Sequence, residues 1–268
     1  MGRAKDIIVK PISSKDANRI IKLLHYSGGV VQNSQLHLGV FLDGKCGGAL
    51  QFGPSLDKRK MLGMVKGTLW NEFLELNRMA LADWLPRNGE SRAISQSMRF
   101  IKKNYPHIKW VVSFADGSQC GDGTIYRASG FLLTGIKKNN QTYIFPDGEV
   151  VTRMTLTLVG GAKRSQMINK WGVDIGSESS ILPFQRIGAK PIPGYQLRYI
   201  YFLHKEEIEN LTVPIIPFDK IKEVGASMYK GKKSCPIGVT GNTSDSQSED
   251  GGSNPTVGLS PNITNITN

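Results

Sequence analysis

The stretch from Lys109 to Phe131, KWVVSFADGSQCGDGTIYRASGF, constrains the fold more than any other. It opens with the apolar run Trp110–Phe114, rich in aromatic and β-branched residues, the pattern of a buried strand. The strand stops at Ala115-Asp116-Gly117, and a loop dense in Gly and Asp follows. Thr124 can cap a short helix over Ile125–Ser129, and Gly130 can end it because glycine enters the left-handed region without steric cost. Phe131 starts the next apolar run. Strand, polar loop, short helix and strand together hold polar groups at the carboxyl end of a strand, where ligands of open α/β sheets sit. A surface loop between two core strands fits the same pattern.

Around this stretch the periodicity predicts further elements. Asp6–Pro11 reads as a first strand, and Ser14 can cap a helix over Lys15–His25 with Ile20, Ile21, Leu23 and Leu24 on its apolar side. His25 and Tyr26 then precede a Gly-Gly turn; a His there can serve function or simply the helix dipole. Leu36–Leu42 and Cys46–Phe52 form a hairpin through Asp43-Gly44-Lys45. Pro54–Lys66 is a basic connecting loop carrying Lys58 and Arg59, a solvated face or a phosphate contact. Arg92–Tyr105 is an amphipathic helix with Ile94, Met98 and Ile101 on one side. Strands are expected at Leu132–Lys137, Thr142–Phe145, Val150–Leu158 and Leu197–Leu203, the last closing the core sheet. The segment 159–194 reads as a basic insertion in which Lys163, Arg164, Lys170 and Trp171 interleave cations with an aromatic ring, suited to phosphate contact and base stacking or to packing alone.

The chain has 268 residues and a formal net charge of +12, which favours a polyanionic partner such as nucleic acid. No apolar run reaches the ~20 residues of a membrane span. The N-terminal apolar run is too short for a signal peptide. Cys46, Cys120 and Cys235 are odd in number and lack metal-ligand spacing, so no metal is expected and a reducing cytoplasm is the simplest location. Residues 231–268 are rich in Gly, Ser, Asn and Thr and predict a disordered tail behind a single domain over 1–230.

Tyr126-Arg127-Ala128-Ser129-Gly130-Phe131 resembles the Tyr-x-x-x-Gly-Phe signature late in Gcn5-related N-acyltransferases. With FLELNRMAL (Phe73–Leu81), Ser91–Ser95, IKWVVSFADG (Ile108–Gly117) and CGDGTIYRASGF (Cys120–Phe131), the run resembles the Mom family of phage DNA-modification proteins. The resemblance implies an α/β fold: an acyltransferase core with a central mixed, mostly antiparallel sheet flanked by helices. The second half of Leu69–Leu81 becomes its central strand. It further implies a phage enzyme that converts adenine in double-stranded DNA to N6-carbamoylmethyladenine, shielding phage DNA from host restriction. The base would be flipped out of the duplex.

By the same resemblance Tyr126 aids the leaving group. Ser113, Asp116, His25 and Tyr26 are further catalytic candidates; Asn77, Arg78, Ser91, Arg92, Gly121, Asp122, Gly123 and Arg127 are candidates for holding substrate or donor. Arg87–Ser91 departs from the acyltransferase pattern, with one glycine where that pattern has a glycine-rich pyrophosphate loop. The product contains the atoms of glycinamide, so the expected donor is a glycyl ester, with glycyl-tRNA the leading source and tRNA then a partner. Acetyl-CoA or another acyl-CoA is the alternative donor. A conventional N-acetyltransferase and a non-catalytic DNA-binding protein on the same scaffold are the rival readings.

Overall fold

The computed structural model describes residues 2–25, 27–116, 121–139, 141–153, 156, 162–172, 182–192 and 194–226. A strand β1 (Ile8–Pro11) leads into helix α1 (Ser14–Leu24). The α1 cap is Ser13 and not Ser14: its hydroxyl accepts from the Asp16 N–H at 3.1 Å. Strands β2 (Leu36–Leu42) and β3 (Lys45–Gly53) form the expected hairpin, with Asp43 and Gly44 both at positive φ as a tight two-residue turn requires. The basic loop that follows contains a short helix, α2 (Lys58–Leu62), capped by Asp57. Then come β4 (Phe73–Leu81), α3 (Gly89–Asn104), β5 (Trp110–Asp116), α4 (Thr124–Ala128) and β6 (Leu132–Asn139).

The chain next leaves the large sheet. β7 (Thr142–Ile144), β8 (Val150–Thr152) and β9 (Lys190–Pro191) make a separate three-stranded sheet, with α5 (Ala162–Trp171) and α6 (Leu182–Arg186) between β8 and β9. The long strand expected over Val150–Leu158 is therefore short, and Arg153 is already helical. This excursion has its own core of Tyr143, Phe145, Val151, Leu156, Met167 and Ala189, so its apolar residues pack on one another. It departs after Asn139 and returns at Gly194, which are register partners. Finally β10 (Gly194–Phe202) enters the large sheet between β5 and β6, and α7 (Asp219–Glu223) follows. The expected tail, 231–268, lies outside the described residues.

The large sheet has seven strands in the order β1-β2-β3-β4-β5-β10-β6, all antiparallel except β4 with β5. Helices flank it, as the resemblance to acyltransferases implies. On one face α3 and α4 close the main core, with Leu76, Leu81, Val111, Ala115 and Tyr126 among its members. On the other face Ala17, Ile20 and Ile21 of α1 pack with Ala49 and Ala80; further along, Met61 and Met64 pack with Phe73, Trp110 and Val112. Among the described residues no helix is long and apolar enough to cross a membrane.

Candidate active site

Two local features of the central strands open a site in the middle of the sheet. The parallel β4–β5 ladder runs only from Phe73↔Trp110 to Glu75↔Val112. Beyond it the two strands have no common ladder, leaving a cleft with Leu76–Leu81 on one side and Ser113–Asp116 on the other. In addition, β4 carries a bulge: Gln51 pairs with Arg78 and Phe52 with Leu76, so Asn77 is the extra residue. A bulge re-aims side chains. Here Leu76 points into the α3/α4 core and Met79 and Leu81 do so again after the bulge. Glu75 and Arg78 are thereby brought to the opposite, α1 face, and Asn77 hydrogen-bonds among them.

These residues form a half-buried polar network. Asn77 Oδ1 accepts from the Ser34 hydroxyl at 3.1 Å, and Arg78 donates through Nε to the Gly29 carbonyl at 3.2 Å. Ser55, Asn77 and the Arg78 charge surround the Glu75 carboxylate and favour its charged form. Burial outweighs all three and raises the Glu75 pKa above the usual carboxylate range. Sequence reading missed Glu75, because a single Glu inside an apolar strand carries no local signal. Its position at the last rung before the cleft is a property of the ladder.

His25 caps α1 on the same side. Its Nδ1 accepts from the Ser27 N–H at 3.2 Å and lies 2.8 Å from the Ser27 hydroxyl, which assigns the ring proton to Nε2. Burial, and then the neighbouring Arg78 charge, push the His25 pKa down to about 3. The ring is neutral at pH 7 and is a hydrogen-bonding group; it is a poor proton acceptor there. Tyr26 lies outside the described residues.

Tyr126 is on the other face. It is buried in the α3/α4 core, with ring centroids 5.4 Å from Phe131 and 5.1 Å from Tyr199. The Tyr199 hydroxyl donates to the Asp122 carbonyl, and burial raises its pKa. Gly123 is required there twice over: its φ is +77°, and a Cβ would come within 2.5 Å of the Tyr199 ring. Gly123, and not Thr124, is the N-cap of α4, and Asp122 before it accepts from the Thr124 N–H and hydroxyl at 3.1 and 2.7 Å. Gly121 precedes it with φ +109°. Ser113 is fully buried on the Tyr126 side, its hydroxyl 3.5 Å from the Leu76 carbonyl across the start of the cleft. Asp116 ends β5 and accepts from Asn139 Nδ2 at 3.4 Å, at the root of the small sheet.

The side chains expected near a donor pyrophosphate are tied within the protein. Ser91 donates to the Asn88 carbonyl, and Arg92 is tied to the Lys5 carbonyl at 3.1 Å. Gly89 is buried, and a Cβ on it would meet Ile7 at 3.3 Å. Glu90 puts a negative charge in the first turn of α3, where a phosphate would need the helix dipole. The Arg127 guanidinium sits 5.5 Å over the Phe218 ring.

Of the DNA-contact candidates, Lys170 is ion-paired with Asp147 and is 3.8 Å from Glu149, and Trp171 packs on the small core with its ring 6.0 Å from Phe145. Arg164 is half-buried on α5, and the Lys163 side chain lies outside the described set. Lys58 and Arg59 begin α2 and line a separate cavity. Among the described residues no group of three or more His, Cys, Asp or Glu side chains could hold a metal ion.

A family model described as the Mom protein family matches residues 6–220. The chain is 35% identical over 215 residues to the methylcarbamoylase Mom of Escherichia phage Mu, covering 79% of this chain and 82% of that one. Solved structures with a similar fold include an IAA acetyltransferase from Bacillus cereus, with a TM-score of 0.40, 11% identity and coverage of 73% of this chain and 99% of that one. The ribosomal-protein-S18-alanine N-acetyltransferase from Escherichia coli gives a TM-score of 0.39 at 10% identity, covering 74% and 94%.

Proposed function

The chain belongs to the Mom protein family, and on that premise we propose that it is a phage DNA-modification enzyme that places a carbamoylmethyl group on the exocyclic N6 of adenine. The similarity to the phage Mu methylcarbamoylase over most of both chains is the observation that supports this most. The substrate is double-stranded DNA with the adenine extruded, because N6 is stacked inside a duplex. The modified bases then escape host restriction enzymes.

The two faces of the cleft suit the two halves of an acyl transfer. The adenine approaches from the polar face. There Glu75, whose raised pKa makes it a stronger base than a free carboxylate, takes the proton lost by N6. Arg78, Asn77 and His25 orient the substrate. The donor approaches from the aromatic face, where Tyr126 gives a proton to the departing oxygen. A glycyl ester, with glycyl-tRNA as its source, supplies the atoms of the product and suits a chain whose Arg87–Ser91 loop has one glycine in place of a glycine-rich pyrophosphate loop.

N6 attacks the glycyl carbonyl carbon, the C–O bond of the ester breaks, and the ribose hydroxyl leaves. The first product is an N6-glycyl amide with a free amine. That amine adds to C6 through a five-membered ring. Breaking the original C6–N6 bond opens the ring and leaves the glycine nitrogen on C6, with the old N6 as terminal carboxamide. The sequence is redox-neutral, and every atom of the glycyl group is retained.

The test is nucleoside analysis of DNA from cells expressing the chain and fed ¹⁵N-glycine. Methylcarbamoyl and carbamoylmethyl groups contain the same atoms, so fragmentation must locate the label. The expected result is carbamoylmethyladenine with ¹⁵N bonded to C6. Label in the terminal carboxamide would overturn the rearrangement, and unmodified DNA would overturn the activity.

A further inference from the structure

Across from α2, the chain before β4 holds a tryptophan in the open. Trp70 is 55% exposed, with Leu69 at 63% and Leu56 at 79% beside it. The turn that carries it is nonetheless tightly specified. The Leu69 N–H donates to Glu72 Oε2 at 2.7 Å, the Glu72 N–H donates to the Leu69 carbonyl at 3.1 Å, and Glu72 is held by Lys109 at 3.0 Å. Lys109 also meets Glu207 at 3.3 Å. Burial of the indole cannot be the purpose of a turn fixed so firmly.

The ring borders a cavity of about 570 Å³ lined by Gln35, Ser55, Lys58, Arg59 and Trp70, with Pro54, Leu56 and Asp57. The Lys58 ammonium sits 4.5 Å above the Trp70 ring and 5.6 Å from that of Phe73, and among the described residues it has no carboxylate partner. Partial burial lowers its pKa, so a bound anion would relieve it. Ser55, on the cavity wall, is also a polar neighbour of Glu75 at the vertex of the cleft. An exposed aromatic face, two cations and an exposed amide are the chemistry of an unstacked nucleotide. The base stacks, the phosphate meets Lys58 and Arg59, and the Gln35 amide can pair with an adenine edge.

We propose that this cavity grips the acceptor DNA strand, with an unstacked base on Trp70 and its phosphate on Lys58 and Arg59, and so delivers adenine to Glu75. The inference rests on the DNA reading above. It places the acceptor strand between α2 and the Leu69–Glu72 turn, away from the small sheet.

Binding of two duplexes, one fully paired and one with a single adenine opposite an abasic site, tests it. The wild-type chain should prefer the second. Trp70→Ala should weaken that duplex alone by on the order of 10-fold, since the stacking surface for the base is lost. Trp70→Phe should keep most of the preference yet lose the tryptophan quenching that the base causes, a readout that does not depend on the alanine variant folding. Lys58→Gln should weaken both duplexes and reduce the salt slope by about one. Equal loss on both duplexes with Trp70→Ala, an unchanged preference, or a loss confined to tRNA would overturn the proposal. Nucleoside analysis of the same variants separates the two readings. Normal modification with wild-type KM for DNA in Trp70→Ala rejects the cavity and leaves the activity standing. Unmodified DNA from the wild type, with base preference lost only in Trp70→Ala, rejects the activity and leaves the cavity standing.

Discussion

One face of the central sheet is ionisable where the other is aromatic. On the α3/α4 face the polar atoms are committed to structure: the Tyr199 hydroxyl to the Asp122 carbonyl, and the Asp122 carboxylate to the start of α4. On the α1 face the polar atoms bond to one another, and burial leaves Glu75 with its charged form disfavoured. The difference comes from one bulged residue. Without Asn77 as an extra residue, strand alternation would put Arg78 into the α3/α4 core and Met79 into the polar network.

The largest expected effect comes from removing the charge of the polar face. Glu75→Gln keeps shape and hydrogen bonding but cannot take a proton, and the modification rate should fall on the order of 10²–10⁴-fold. Thermal stability should be unchanged or higher. The sign follows from linkage. The folded pKa of Glu75 is raised, so the folded state holds the proton more tightly, and its contribution is lost as pH rises through the folded value. At pH 7 the charge costs stability that the neutral amide restores. A variant that modifies DNA at the wild-type rate would remove the polar face from the chemistry.

Tyr126→Phe probes the aromatic face and should lower the rate on the order of 10²-fold with KM for DNA unchanged, since the hydroxyl is assigned to the donor side. The ring packing on Phe131 and Tyr199 is retained, so the melting temperature should hold. If KM for DNA rose instead, the acceptor would be approaching from this face and the assignment of the faces would be reversed.

What could be read in the sequence divides along the same line. The aromatic face was legible because it is built from consecutive residues: the strand into Asp116, the Gly-Asp-Gly turn, the short helix and Gly130 all lie in one stretch. On the polar face His25, Asn77 and Arg78 could be named singly, but Glu75, Ser55 and Ser34 could not, because the network joins separate segments through a bulge and a parallel ladder. The insertion shows a different limit. Lys170 beside Trp171 and Lys58 with Trp70 look alike as cation and aromatic, but Asp147 neutralises the first lysine and Phe145 covers its ring, while the second pair faces an open cavity. Composition cannot distinguish a packed pair from a free one. Caps were off by one residue at Ser13, where two adjacent serines compete for one helix start, and at Gly123, whose left-handed φ makes it the cap without a side chain.

The smallest effect separates His25 from Glu75 within the polar face. A histidine acting as base would give the rate a limb near its ordinary value of about 6.5. With its pKa near 3, His25 is neutral throughout pH 6–8, and any limb there must belong to another group. The same shift has a signature in stability. A histidine whose folded pKa is depressed favours the folded state in its neutral form, a contribution fully present above about 6.5 and lost as pH falls toward 3. Subtracting the acid-unfolding curve of His25→Gln from that of the wild type should leave a decline on the order of 1–2 kcal/mol across that window, the ring being only half-buried. The rate profile of His25→Gln should keep the wild-type shape at a lower amplitude, as for a positioning residue. A lost limb near pH 6.5, with no difference in acid stability, would instead make His25 the base and reduce Glu75 to its support.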